Sequence, residues 1–197
     1  MPKSANQMTA SKKYFQISPV DYLAGERVSP IRHEYIRGEV YAMAGGSQAH
    51  GTIAGNMFAL LRNHIRGTGC RAFIENMKVQ IAAANSYYYP DVMVTCDHRD
   101  KNLADDFVSY PKLIVEVLSP STAKFDRGVK FADYQQIETL QEYVLISSDS
   151  IQVDCYRRDT EGRWEVFTYE KGDELELTSV NWRGAIDWLY EDVLELE

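Results

Sequence analysis

Pro90-Asp91 lies inside one strand-like run, Glu116 inside a second run 25 residues on, and Lys130 on the helical stretch after that. Two carboxylates and an ammonium suit metal-assisted hydrolysis. A hard divalent cation such as Mg²⁺ takes oxygen ligands and keeps several waters, so one or two carboxylates suffice to hold it. So held, it turns a bound water into a nucleophile and neutralises charge building on a phosphate. A lysine close by orients that water or stabilises the transition state. Each residue also has an ordinary reading. Asp91 after a proline can cap a turn, Glu116 can pair with a buried arginine, and Lys130 can pair with Asp126 one turn away. An exposed pair of that last kind is worth only ~0.2–0.5 kcal/mol. Glu116 tips the balance. Its run, KLIVEVL, is otherwise nearly all apolar, as in a central strand covered on both faces, where a carboxylate is costly unless paired or bound. For Lys130 the two readings stay level.

The elements that must position these residues follow from local patterns. SPVDYLAGER reads as a short helix with Ser18 as N-cap and Pro19 at its first position. EYIRGEVYAM alternates around Arg37-Gly38 as a hairpin would. Ile53, Met57, Leu60, Leu61 and Ile65 recur at helical spacing, with Ser47 to start the helix and Gly67 or Gly69 to end it. RAFIENMKVQI, YYYPDVMVTC and KLIVEVL read as three strands. RGVKFADYQQI then reads as a helix capped by Asp126, EYVLIS as a buried strand, and residues from Ile151 onwards as an antiparallel extension. The order predicts an α/β fold: a mixed sheet flanked by helices. Residues 1–13 are expected to be flexible and 14–197 to form one domain.

Bulk properties narrow the function. No apolar run approaches the ~20 residues needed to cross a bilayer, and the N-terminus has no apolar signal core. Cys70, Cys96 and Cys155 are odd in number and far apart, which predicts reduced thiols in a cytoplasmic protein and neither a disulfide framework nor a zinc site. The net charge of −8 argues against a nucleic-acid partner until it is located. Residues 154–197 hold 13 acids and 5 bases, whereas residues 1–153 hold 16 of each. The segment with the chemistry is neutral, so charge neither supports nor excludes nucleic acid.

With its parts assembled, the chain resembles a known family. PDVMV from Pro90, LIVEVLSPST from Leu113, Asp126 with Lys130 and Tyr134 at intervals of four, and EYVLI from Glu142 are similar to the Uma-type restriction endonuclease family. The resemblance begins near Glu34-Tyr35, includes Gly38-Glu39 and His50, and runs to about residue 157. That family belongs to the PD-(D/E)xK nuclease superfamily, so the resemblance implies a restriction-endonuclease-like core with Asp91 and Glu116 on Mg²⁺ or Mn²⁺ and the Val117 carbonyl nearby. The superfamily's lysine normally lies two residues after the glutamate, where this chain has Leu118. Lys130 would then be a lysine migrated to the next helix, with Lys78 a second candidate.

Supporting residues carry two readings each. Glu39 is a third acidic site residue or a solvated one; His50 bonds locally at a helix start or serves as a ligand. Tyr87, Tyr88 and Tyr89 pack in a sheet or stack on bases, Tyr134 reads as core, and Gly45-Gly46 as a turn. The function expected is a metal-dependent endonuclease acting on nucleic acid, DNA first, working as a homodimer with no membrane partner. The alternative is a catalytically silent nucleic-acid-binding or scaffold protein on the same fold. Two-carboxylate glycoside hydrolysis needs one acid protonated, which a neighbouring lysine disfavours.

Overall fold

A computed structural model describes residues 16–43 and 45–193; the stretch 1–13 expected to be flexible lies outside them. Helix α1 (Pro19–Glu26) starts at Ser18, whose hydroxyl accepts the Asp21 N–H at 3.1 Å. Strands β1 (His33–Ile36) and β2 (Glu39–Ala42) form the expected hairpin, with Arg37 at φ 51° and Gly38 at φ 97°. Two successive positive φ values make the tight turn that matches strand twist. Helix α2 (Gln48–His64) buries Ile53, Met57 and Leu61 on one stripe and is capped by Ser47.

The next two runs each divide between two sheets, against the expectation of one strand apiece. RAFIENMKVQI yields β3 (Arg71–Ile74) and β4 (Lys78–Ile81), separated at Glu75, whose φ is 45°. YYYPDVMVTC yields β5 (Ser86–Tyr88) and β6 (Val92–Thr95), separated at Pro90, which has no N–H for a ladder. Strands β7 (Phe107–Val108) and β8 (Pro111–Leu118) follow. Strands β9 (Glu142–Ser147), β10 (Gln152–Arg158), β11 (Trp164–Glu170), β12 (Glu174–Leu177) and β13 (Trp182–Ala185) complete the set. One sheet runs β2-β1-β5-β4-β7, the second β11-β10-β9-β8-β6-β3, and β12 and β13 form a hairpin.

In the six-stranded sheet only β8 and β9 run parallel, so the sheet is mixed as expected. Side chains alternate across it. Val92, Val94, Leu113, Val115 and Val117 pack with α2, whereas Met93, Ile114 and Leu118 pack with Tyr134, Ile137 and Leu140 on the opposite face. That second face is covered by a helical segment in three parts: α3 (Ala123–Phe125), a π turn (Asp126–Lys130) and α4 (Phe131–Tyr134). Asp126 is thus not the N-cap expected. Its N–H already bonds the Thr122 carbonyl at 3.0 Å, because the helix starts three residues earlier.

The cysteines also depart from expectation. Cys70 and Cys96 form a disulfide, and only Cys155 is free and buried. The antiparallel register Arg71↔Thr95 sets the two opposite each other one step further on, which their separation of 26 residues could not reveal. Among the described residues no helix is long and apolar enough to cross a membrane.

Glu142, fully buried, ties the extension to the core. It accepts from Arg157 Nε at 2.7 Å and from the Thr178 and Ser179 N–H groups at 3.1 and 2.9 Å. Stripping one partner from a buried, hydrogen-bonded ion pair costs ~3–5 kcal/mol. Glu142→Ala is expected to lower the urea midpoint accordingly, while Glu161→Ala, which breaks an exposed pair with Arg163, leaves it within ~1 kcal/mol of the parent.

Candidate functional site

Register brings the two acids together. Val92 stands opposite Val115 in the β6–β8 ladder, so Asp91, one residue before β6, lies beside Glu116. Both share the parity of Met93 and Ile114, on the face covered by the π turn. Asp91 Oδ2 accepts the Val117 N–H at 2.7 Å, which locks the end of one strand against the other.

Glu116 is 4% exposed, and both of its hydrogen-bonding contacts among the described residues fall on Oε1: Tyr134 Oη at 2.8 Å and Lys130 Nζ at 2.8 Å. Lys130, 5% exposed, also stands 3.3 Å from Glu34 Oε1 and 3.6 Å from Asp126 Oδ1. The contact with Asp126 that the sequence raised is therefore present, but as the longest of three and buried. Burial pushes the Glu116 carboxyl well above its usual range, against the pull of Lys130. Burial acts to lower the Lys130 pKa, yet Glu116, Glu34 and Asp126 outweigh it and hold the ammonium well above its usual value. With three carboxylates around one ammonium, the proton belongs on Lys130.

From the opposite side, His50 reaches Asp91 with Nε2 3.2 Å from Oδ2, while its backbone N–H bonds the capping Ser47 hydroxyl at 3.2 Å. The local hydrogen bond at the helix start is thus the reading of His50 that the structure contains. The Asp91 hydrogen bond raises the imidazole pKa, with burial opposing. Glu75 completes this side. One ligand atom each from His50, Glu75 and Asp91 lie within 4.8 Å of one another. Glu75 is held there by its own N–H on the Asp91 carbonyl at 3.0 Å. Gly46 leaves room for the ring, since a Cβ there would stand 2.9 Å from His50 Nδ1.

Glu34, His50, Asp91, Glu116, Val117, Asp126 and Lys130 all line one cleft of about 520 Å³, with Gly45 and Gly46 at its rim. The structure distributes the other candidates differently. Lys78 is buried in the five-stranded sheet, 3.3 Å from Tyr89 Oη, with its pKa lowered by burial against the pull of Asp106 and Glu26. Glu39 is exposed and accepts from Tyr41. Tyr87 and Tyr88 are buried in β5, as sheet packing requires, whereas Tyr89, also buried, follows the strand and lines the cleft. Tyr134 is core and also a Glu116 partner. Glu34 and Glu75 carry no role in the sequence reading. Glu34 marked only the start of the resemblance, and Glu75 sits at a strand break that alternation does not disclose.

The donors suit a hard divalent cation. In the cluster of His50, Glu75 and Asp91 they are two carboxylates with one imidazole, and in the same cleft Glu116 Oε2 has no hydrogen-bond partner among the described residues.

Comparison with known proteins identifies the family and the fold. Residues 19–186 match the model of the Uma2 family, described as "Putative restriction endonuclease". An uncharacterized protein of Synechocystis sp. is 41% identical over 180 residues, covering 91% of this chain and 94% of its own. A second from the same organism is 34% identical over 162 residues, covering 82% and 91%. In fold, the crystal structure of a "putative nuclease" from Anabaena variabilis superposes with a TM-score of 0.71 at 20% identity, covering 89% of this chain and 98% of that one. The chain belongs to the Uma2 family.

Proposed function

We propose, from membership of the Uma2 family and the cleft above, that this protein is a metal-dependent endonuclease hydrolysing phosphodiester bonds in nucleic acid, DNA first. One observation carries the reading: Asp91 and Glu116 meet on neighbouring strands, in one cleft, against a single buried ammonium. Asp91, Glu116 and the Val117 carbonyl would hold Mg²⁺ or Mn²⁺, with His50 and Glu75 as further donors. Bound there, the ion supplies a Lewis acid that neutralises phosphate charge and acidifies a water. Tyr134 fixes Glu116 through Oε1, and His50 fixes Asp91. Lys130 presents a positive charge where an attacking water or a crowded phosphorane-like charge would need one. A homodimer is part of the proposal, since one site per protomer cuts one strand and two-fold pairs are the commonest assemblies.

The test is digestion of a mixed DNA and RNA panel under a divalent-metal titration, with cleavage that EDTA abolishes as the expected result. Metal binding without cleavage of any substrate would give the silent-binder reading instead. Independently of activity, Mn²⁺ at about 100 times its Kd is expected to stabilise the fold by ~2.7 kcal/mol. For a chain of this size that raises the melting temperature by about 5–10 °C. An unmoved melting curve would exclude the metal site.

A further inference from the structure

Seven arginines among the described residues hold a carboxylate within 4 Å. Of the remaining five, Arg32, Arg62, Arg66 and Arg71 border one strand, β3, and Arg158 alone lies elsewhere. Arg62 and Arg66 follow from the end of α2, and Arg71 opens β3. With Gly67, Gly69 and Phe73 they line a groove of about 470 Å³. Arg32 stands at the other end of β3, its Nη1 2.6 Å from the Glu75 carbonyl.

Several features make this a track for a polyanion. Strand β3 is the terminal strand of its sheet, so alternate N–H groups face away from β6 and outside any ladder. Gly67 and Gly69 have φ of +80° and +85°, the left-handed conformation that ends α2, and a Cβ on either would meet nothing within 4 Å. The backbone there is open to close approach. Arg71 lies over the Phe73 ring at 5.6 Å, which holds its guanidinium along the strand. The last-turn position of Arg62 also suits the carbonyl end of α2, but that accounts for one arginine of four. Four neighbouring guanidinium groups with no carboxylate partner among the described residues are unusual on a chain with eight excess acids.

The track leads to the cleft. From Arg71 to Glu75 is four residues, ~13 Å at ~3.3 Å per strand residue. That is about four base-pair steps of duplex at ~3.4 Å each. We infer that the groove of Arg62, Arg66 and Arg71 binds the nucleic-acid backbone flanking the bond held at Asp91 and Glu116, with Arg32 at the junction. This rests on the endonuclease reading and extends its substrate contacts beyond the cleft.

The experiment is fluorescence anisotropy of a labelled duplex of ~20 base pairs with the full chain, between about 50 and 200 mM KCl. It is run in EDTA and again with Ca²⁺. Each lost phosphate contact removes ~0.9 from the slope of log affinity against log salt. R62Q/R66Q/R71Q is expected to lose about 2.7 of that slope and about 10²-fold in affinity. R62K/R66K/R71K is expected to keep the slope. Both variants should retain the Mn²⁺-induced melting shift, since none of the three arginines is a metal donor. A glutamine variant with the parent slope would overturn the groove and leave the endonuclease reading standing. Parent protein with no salt-dependent binding under either condition would overturn both. Competition by polyglutamate as effective as by DNA would overturn the assignment to a phosphodiester chain.

Discussion

Glu116→Gln is expected to reduce nucleic-acid cleavage by ~10³-fold or more and to abolish the Mn²⁺-induced rise in melting temperature. The substitution preserves shape and still offers Tyr134 an oxygen to bond, so what it removes is charge. A bound cation contributes several kcal/mol of transition-state charge stabilisation, and each 1.36 kcal/mol is tenfold in rate. The metal-free fold should not suffer. A carboxylate 4% exposed, with Asp91 and Asp126 close enough to raise its proton affinity, costs stability when ionised, and a neutral amide does not. Lys130 would keep Glu34 and Asp126. The metal-free variant should therefore melt at or above the parent temperature while failing to respond to Mn²⁺. Parent-level cleavage by Glu116→Gln would dissolve the Asp91–Glu116 pairing.

Lys130→Met is expected to lower turnover by ~10²–10³-fold, the scale of losing one electrostatic contact to a transition state. Its metal binding should be kept or tightened. An ammonium 2.8 Å from Glu116 competes with a cation for the same carboxylate, and methionine does not. Without metal, the variant leaves three carboxylates facing one another with their ammonium gone, a loss of ~3–5 kcal/mol that added Mn²⁺ should recover in part. Calorimetric Mn²⁺ binding, cleavage rates and melting curves for Lys130→Met and Glu116→Gln separate the two roles. Full activity in Lys130→Met would shift the catalytic lysine to Lys78, which does not line the cleft itself but donates to Tyr89, which does.

What sequence could disclose here was local. The stripe of Ile53, Met57 and Leu61, the turn at Arg37-Gly38 and the lone carboxylate of KLIVEVL each state their own structure, and all three are found as read. Alternation says which side of a strand is apolar but not which sheet the strand joins. RAFIENMKVQI and YYYPDVMVTC each cross between sheets for that reason. The same limit hid Glu34, brought to the cleft from β1, and Glu75, brought beside His50 and Asp91 from a strand break, and hid the cross-strand neighbours Cys70 and Cys96. Glu116 stood out because its oddity is chemical: a charged group in an apolar run, where burial makes charge expensive.

The π turn has a geometric consequence for the cleft. Along an ordinary helix each residue advances ~100°, so positions four apart drift ~40° and three such positions fan across ~80°. Asp126, Lys130 and Tyr134 are spaced in this way, yet Lys130 and Tyr134 converge on one carboxylate oxygen and Asp126 stays within reach of Lys130. A turn closed by i→i+5 bonds is wider, about 4.4 residues, and four residues of it fall ~30° short of a full circle. On these ideal windings the backward offset between Asp126 and Lys130 nearly cancels the forward drift between Lys130 and Tyr134, which sets the three positions close to one column along the helix. Alignment here is a matter of winding number. A homologous chain with one residue fewer in this turn would have to swing either its acid or its tyrosine out of the column.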